Sequence, residues 1–288
     1  MTTDYSIWAF AYARSEMPYE FFGGTLRWSN KGVIHNPMIV SAIHGGGIGG
    51  PKKPIVFDTG VRDGLSPRGK TYRNFERPEA VLAKVGIRAE EVETLVLTHL
   101  HFDHAGNVSS FPNAKIYIQR AEYEGWKRVF QMPGPLGSDV HGWPLSSINP
   151  ADFEELDRLV AAGRVVFLDG DAEIAPGVTC HLARDTHTFG SQWVEVKTPD
   201  GPYVVAGDCV YWYDNIEQMW PPAYIQGNAW NLIDTYQRLR GLLEGRVERI
   251  IPGHDPVVFE RHDAWRVGPN DVAELRVGRG QETRRHPG

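Results

Sequence analysis

The chain has 288 residues, a formal net charge of −6 and 41% hydrophobic residues. That is apolar enough for a sizeable core and too acidic for nucleic acid as the main partner, since its basic pair, Arg284-Arg285, is too short to shift the balance. Its two cysteines, Cys180 and Cys209, give no disulfide framework and lie in apolar strand-like contexts, where buried free thiols are expected.

From Met1 to Phe10 no basic region precedes an apolar stretch, so no secretory signal is read there. No apolar run approaches the roughly 20 residues a membrane span needs, and a cytoplasmic protein is the expectation. Residues 5–14, 37–44 and 54–58 read as strands. Glu76-Arg77-Pro78-Glu79 opens a helix, with proline in the first turn and acids near its positive end. Val81, Leu82 and Val85 give that helix its apolar stripe, and Gly86 ends it. Residues 93–98 and 114–118 read as strands, followed by helices over about 119–130 and 151–162. In the second helix Phe153, Leu156, Leu159 and Val160 share one face. Residues 164–168, 178–183, 192–197 and 202–207 read as strands, the last two joined by the turn Pro199-Asp200-Gly201. Asn228 caps a helix reaching about 244, with Ile233, Tyr236, Leu239 and Leu243 inward, and 247–251 is a final strand. One domain over 1–277 is expected, with 278–288 a mobile polar tail.

The strand at 93–98 delivers the most informative segment, Thr98-His99-Leu100-His101-Phe102-Asp103-His104. Neutral imidazole is the commonest metal ligand in proteins. His99 and His101, two apart, turn to one side while the chain is extended, and Asp103 and His104 follow on the loop toward a second point. That layout suits two neighbouring ions. A lone His-x-His would read as a solvated turn; four potential ligands in six positions do not. Three further candidates lie downstream: His187 in a turn between strands, Asp208 after Val204-Val205-Ala206-Gly207, and His254 after Ile250-Ile251-Pro252-Gly253. Polar residues just past buried strands gather at one edge of an open α/β sheet.

These residues make the chain resemble the metallo-β-lactamase-fold hydrolases, and among them the N-acyl-homoserine lactone lactonases. Ile55-Val56-Phe57-Asp58-Thr59-Gly60 is similar to the early strand and structural Asp of that fold. His99, His101, Asp103 and His104 match its HxHxDH motif, and His187, Asp208 and His254 match its later ligands in order. Ile118-Gln119-Arg120-Ala121-Glu122-Tyr123-Glu124 resembles a lactonase segment, and Tyr211 matches a lactonase tyrosine that lies over the metals. The lactonase turn around the third histidine carries a preceding glycine and a second histidine; here Thr186 and Ser191 stand in those places.

The resemblance implies an α/β fold of four layers, an αββα sandwich, where spacing alone gives only α/β. It also implies two divalent ions, zinc first, with iron, manganese or cobalt accepted by the same donors. His99, His101 and His187 would hold one ion, Asp103, His104 and His254 the other, and Asp208 would bridge them. The implied reaction is attack of metal-bound hydroxide on a lactone carbonyl, N-acyl-homoserine lactones being one substrate class. Tyr211 would contact the carbonyl oxygen or orient the substrate, and Asp103 would pass a proton to the leaving alkoxide. The alternative is a catabolic hydrolase of another cyclic or acyclic ester or amide, with an aromatic or heterocyclic substrate. A glyoxalase-II-type thioesterase would call for a helical region after the last ligand, where 34 residues remain. A non-catalytic binding protein would lack ligands, and all seven are present.

Residues 131–150 and 211–225, rich in Pro, Gly, Trp and Tyr, read as pocket walls. Tyr19, Phe21 and Phe22 are read as closing the pocket or forming a dimer interface, which leaves a homo-oligomer open. His141 is read as a surface histidine within reach of the site. His44 and His181 read as structural, and His35, His262 and His286 have no ligand company.

Overall fold

Alternate residues of the first strand enter two different cores. In β1 (Tyr5–Pro18), Tyr5, Ile7 and Ala9 join one buried cluster while Trp8, Phe10 and Tyr12 join another, as the two-residue period of a strand covered on both faces demands. β2 (Val33–Gly45) repeats the division, with Ile39 and Ile43 on one side and Met38, Val40 and Ala42 on the other. The computed structural model describes residues 4–24, 31–45, 53–133 and 142–282.

The remaining elements follow in chain order as α1 (Tyr19–Gly23), β3 (Ile55–Phe57), α2 (Pro78–Lys84), β4 (Thr94–Val96), β5 (Lys115–Gln119), α3 (Arg120–Phe130) and α4 (Pro150–Ala161). Then come β6 (Val165–Leu168), β7 (Ala172–Ala175), β8 (Val178–Arg184), β9 (Gly190–Thr198), β10 (Gly201–Gly207), α5 (Tyr213–Glu217) and α6 (Ala229–Leu242). The last are β11 (Ile250–Pro252), α7 (Val258–Arg261), β12 (Asp263–Val267) and β13 (Asn270–Arg276). One sheet has the order β12-β13-β1-β2-β3-β4-β5-β6 and the other β11-β10-β9-β8-β7. The inner cluster joins the facing sides of the two sheets through Ile7, Phe57, Val194 and Val205. Val81 and Leu82 of α2, Trp126 of α3 and Leu156 of α4 cover the outer face of the larger sheet, and Leu232, Tyr236 and Leu239 of α6 pack with the smaller. The four-layer αββα sandwich is therefore as expected.

Proline and caps set the helix starts. Pro78 and Pro150 occupy first-turn positions where no backbone N–H is needed, and the Asn228 side chain accepts from the Trp230 and Asn231 amides. In α6 the fully buried residue near the start is Leu232, with Ile233 only partly covered. Residues 247–249 form a single tight helical turn, so the strand expected at 247–251 begins only at Ile250. The β12–β13 hairpin was not foreseen: its edge strand carries Asp263 and Arg266, which blur the apolar alternation. β13 pairs antiparallel with β1. Beyond it, the Gly278 amide donates to Ser6 Oγ and the Arg279 amide to Asp4 Oδ2, so residues 278–281 are tied down where a mobile tail was expected to start. Residues 283–288 lie outside the described residues.

Candidate metal centre

Strand register brings the candidate ligands together. Parallel β10 and β11 pair Gly207 with Pro252, so Asp208 and His254, each just past its strand, emerge side by side. Parallel β3 and β4 pair Phe57 with Val96, which places Asp58 beside the segment entering the histidine cluster. His187 lies in the turn between β8 and β9. Two glycines permit the approach. A Cβ at Gly253 would stand 2.2 Å from Asp208 Oδ1, and one at Gly207, where φ is +49°, would stand 2.5 Å from Thr98 Oγ1.

The result is two adjoining groups, His99, His101, His187 and Asp208, and Asp103, His104 and His254. Asp208 straddles them. Its Oδ2 lies 3.6 Å from His99 Nε2 and 3.3 Å from His187 Nε2, while its Oδ1 lies 3.3 Å from His104 Nε2 and 3.2 Å from His254 Nε2. Asp103 Oδ2 stands 3.8 Å from His104 Nε2 and 3.6 Å from His254 Nε2. Donors about 2.0–2.2 Å from one four-coordinate ion stand about 3.3–3.6 Å apart, so these spacings are those of coordination edges. His99 Nε2, His104 Nε2 and Asp208 Oδ1 are buried without hydrogen-bond partners, as is His187 Nδ1. Buried polar atoms are ordinarily satisfied. The donor set therefore fits a pair of divalent cations.

For His99, His101, His104 and His254, outer partners fix which ring nitrogen is bare. Thr98 Oγ1 donates to Asp58 Oδ2 at 2.8 Å, so it accepts from His99 Nδ1 at 3.1 Å and leaves His99 Nε2 as the lone pair. His104 Nδ1 donates to Asp58 Oδ2 at 2.8 Å, and His254 Nδ1 donates to the Pro37 carbonyl at 3.1 Å. The Gln226 amide donates to the Trp143 and Pro144 carbonyls, which turns its Oε1 to accept from His101 Nε2 at 2.9 Å and exposes His101 Nδ1 inward. Such outer-shell bonds orient metal-binding imidazoles. Asp58 itself has φ +63°, in the left-handed region that aspartate tolerates better than most residues.

Glu122 joins the two ligand loops from beneath. It is fully buried in the first turn of α3, and its carboxylate accepts from the Leu100 amide, Trp126 Nε1, Thr188 Oγ1 and the Gly190 amide, at 2.7–3.0 Å. Burial raises its pKa from the usual carboxylate value, against the lowering effect of those four donors. Ser191, where the lactonases carry a second histidine, bonds the Thr188 hydroxyl and amide, and Thr186 donates to the Ala183 carbonyl.

Charge divides the ligands. Burial lowers His99 and His187 well below the usual imidazole range and His101 to about 4, with neighbouring imidazoles adding to the effect. Burial would do the same to His104 and His254, but the carboxylates of Asp208 and Asp103 reverse it and raise both. Burial opposes ionisation of Asp208, yet His104 and His254 hold it well below the usual carboxylate range.

Above the ligands lies a cavity of about 260 Å³. His101, Asp103, Asp208 and His254 form its floor, and Phe21, Phe22, Tyr211 and Tyr224 are among its walls. Tyr211 is buried; its ring stands 5.2 Å from that of His187 and 5.4 Å from that of His254, and its hydroxyl donates to the Tyr224 carbonyl at 3.4 Å. Burial and the Asp208 and Asp103 charges raise its phenol well above the ordinary value. Of the two expected pocket stretches, 211–225 contributes Tyr211 and Tyr224, whereas Trp212 and Tyr213 pack away from this cavity. From 131–150 the described lining residues are Ser146 and Ser147; Trp143 is exposed, and His141 lies outside the described residues, as does His286. His181 is structural, stacked on Trp193 between Asp171 and Glu195. The sequence reading missed Gln226 and the clamping role of Glu122. Only Glu122 left a signal, an acid on the inward stripe of a helix with Trp126 and Val129.

Among the described residues no helix is long and apolar enough to cross a membrane. N-acyl homoserine lactonase AttM of Azorhizobium caulinodans is 27% identical over 235 residues, which cover 75% of this chain and 80% of that protein. N-acyl homoserine lactonase AiiA of Bacillus thuringiensis subsp. kurstaki is 25% identical over 233 residues, or 76% and 82% of the two chains. The solved structure of an N-acyl homoserine lactone hydrolase, with N-hexanoyl-L-homoserine bound at its catalytic metal center, shares the fold at a TM-score of 0.66 and 20% identity, covering 94% of this chain and 100% of that one. Residues 47–254, which include every candidate ligand, match the metallo-beta-lactamase superfamily model. The chain thus belongs to the metallo-beta-lactamase superfamily and is a metal-dependent hydrolase of that kind.

Proposed function

We propose that this protein opens lactones at a centre of two divalent ions held by His99, His101, His187 and Asp208 on one side and Asp103, His104, His254 and the shared Asp208 on the other. The observation that carries the reading is the straddling of Asp208, with one oxygen toward each histidine group. The lactonase relatives support the substrate class. Zinc suits the nitrogen and oxygen donors, and iron, manganese or cobalt would suit them too.

When bound, the ions would supply a nucleophilic hydroxide near neutral pH and a positive charge for the carbonyl oxygen. The protein's own part is to place the ester. Tyr211 keeps its proton, because burial and the nearby carboxylates oppose its loss, so its hydroxyl can donate to the substrate carbonyl. Asp103 lines the cavity floor with part of its carboxylate exposed, where it can carry a proton to the departing alkoxide. Phe21, Phe22 and Tyr224 give the substrate an apolar wall and limit access of bulk water. We also propose that residues up to 277 fold as one unit, on the support of the β1–β13 pairing.

The test is turnover by metal-loaded protein against short- and long-chain N-acyl-homoserine lactones, aromatic lactones, simple esters, cyclic amides and a thioester, with metal content measured on the same sample. Lactone opening with about two ions bound is expected, and Tyr211→Phe should slow it about ten- to a hundredfold at unchanged metal content. Two bound ions with turnover confined to amides or thioesters would overturn the lactonase reading and leave the metal centre standing.

A further inference from the structure

Outside the candidate metal centre, the cavity carries fixed charge of one sign. Apart from Asp103 and Asp208, which belong to the candidate metal centre, its charged lining side chains among the described residues are Arg68 and Lys70. Both come from a hairpin between β3 and α2. There Leu65 bridges Thr71, the Ser66 amide donates to the Lys70 carbonyl at 2.9 Å, and the Lys70 amide donates to Ser66 Oγ at 3.0 Å. The Gly69 amide closes the tip on the Ser66 carbonyl at 2.9 Å, with φ +74° at Gly69. Alternate residues of this hairpin, Ser66, Arg68, Lys70 and Tyr72, all line the cavity.

Lys70 is held in place by neutral groups. Its Nζ donates to the Glu16 carbonyl and stands 3.2 Å from Met17 Sδ. An ammonium has three donors, and these contacts use two. Among the described residues no carboxylate forms an ion pair with Lys70; the nearby Glu16 carboxylate is taken by Arg73 at 2.6 Å. Burial lowers the Lys70 pKa despite the Glu16 charge, the direction expected of an ammonium with no contacting counter-ion. A partly desolvated cation facing a substrate cavity is stabilised by an anion that enters with the substrate. At about 260 Å³ the cavity lies at the small end for ligand pockets, so that anion must sit close to the reacting ring.

We propose that Lys70, with Arg68 beside it, forms an anion subsite, and that the preferred substrates are small lactones bearing a carboxylate. The proposal rests on the lactonase reading for the bond that is broken, but the subsite itself is tested apart from turnover. A five-membered lactone carrying a ring carboxylate is compared with its methyl ester, and binding of the ring-opened diacid is measured by calorimetry on the metal-loaded protein. Wild-type protein should favour the acid over the ester in kcat/KM. Lys70→Met should lower that ratio on the order of ten- to a hundredfold and weaken diacid binding by a similar factor. Arg68→Gln, at an exposed position, should move both readouts the same way by less, and added salt should erode the wild-type preference. If no lactone is opened but diacid binding still depends on Lys70, the subsite stands and the lactonase reading falls. If wild-type protein opens acid and ester equally, or if the Lys70→Met and Arg68→Gln proteins both keep the wild-type ratio and diacid affinity, the proposal is overturned.

Discussion

The Nδ1 of His104 lies 2.8 Å from Oδ2 of Asp58, a residue forty-six positions earlier at the end of a different strand. The same Asp58 oxygen accepts from Thr98 Oγ1, which in turn accepts from His99. One carboxylate thus orients a candidate ligand on each side of the centre. Asp58→Asn keeps the shape and loses an acceptor, because its amide nitrogen cannot accept from either donor. Metal affinity and turnover should each fall about ten- to a hundredfold, read by chelator competition and initial rates. Wild-type affinity in the Asp58→Asn protein would show that the backbone alone aims these rings.

Glu122 invites a separate test. Its four donors come from both ligand loops and from its own helix. Glu122→Gln leaves one amide nitrogen facing donors, so the loss should be about 3 kcal/mol, seen as a fall in Tm of roughly 5 °C or more. Because the clamp joins the Leu100 and Thr188 segments, metal affinity should fall with it. Unchanged stability and intact affinity in the Glu122→Gln protein would reduce Glu122 to a filler of space.

Gly253→Ala tests the close passage of the chain just past β11 over the Asp208 carboxylate. The added methyl would need the space of Asp208 Oδ1. The expected outcome is a folded protein that binds about one ion instead of two, with turnover down a hundredfold or more, measured by metal analysis of the purified variant.

The opposed pKa shifts predict proton release on metal uptake. In metal-stripped protein at pH 7, His99, His101 and His187 are neutral, whereas His104 and His254 are raised, so protons bound there are held more tightly. Entry of ions must expel those protons. Calorimetric titration in buffers of different ionisation enthalpy should therefore show net proton release at pH 7, and less as pH rises through the folded-state values of His104 and His254. The sign for stability follows from the same raised values: these two rings stabilise the stripped fold fully below the unfolded imidazole pKa of about 6.5, and that contribution is lost as pH rises. No proton release at pH 7 would contradict the charge assignment.

Much of the candidate centre was legible because its candidate ligands follow strands. His99, Asp208 and His254 each come just after an apolar run, and parallel pairing turns that local signal into proximity. Gln226 was not legible. Its role depends on two backbone carbonyls some eighty residues away, at Trp143 and Pro144, and a glutamine in a loop carries no periodic mark. Lys70 was hidden for a similar reason, since its neighbours Glu16 and Met17 belong to a strand fifty-odd residues earlier. β12 and β13 escaped because an edge hairpin with alternating charges looks like loop; its partner, β1, is more than 250 residues away along the chain.

That pairing has a kinetic consequence. β1 lies between β13 and β2, so during synthesis one edge of β1 waits for a neighbour that emerges only after every other strand has been made. Closing such a distant pair is entropically slow. Until it happens, the hydrogen-bonding groups of β1 remain an open template for another chain. Association of nascent or partly unfolded molecules should therefore begin at this edge, on the far side of the larger sheet from β6.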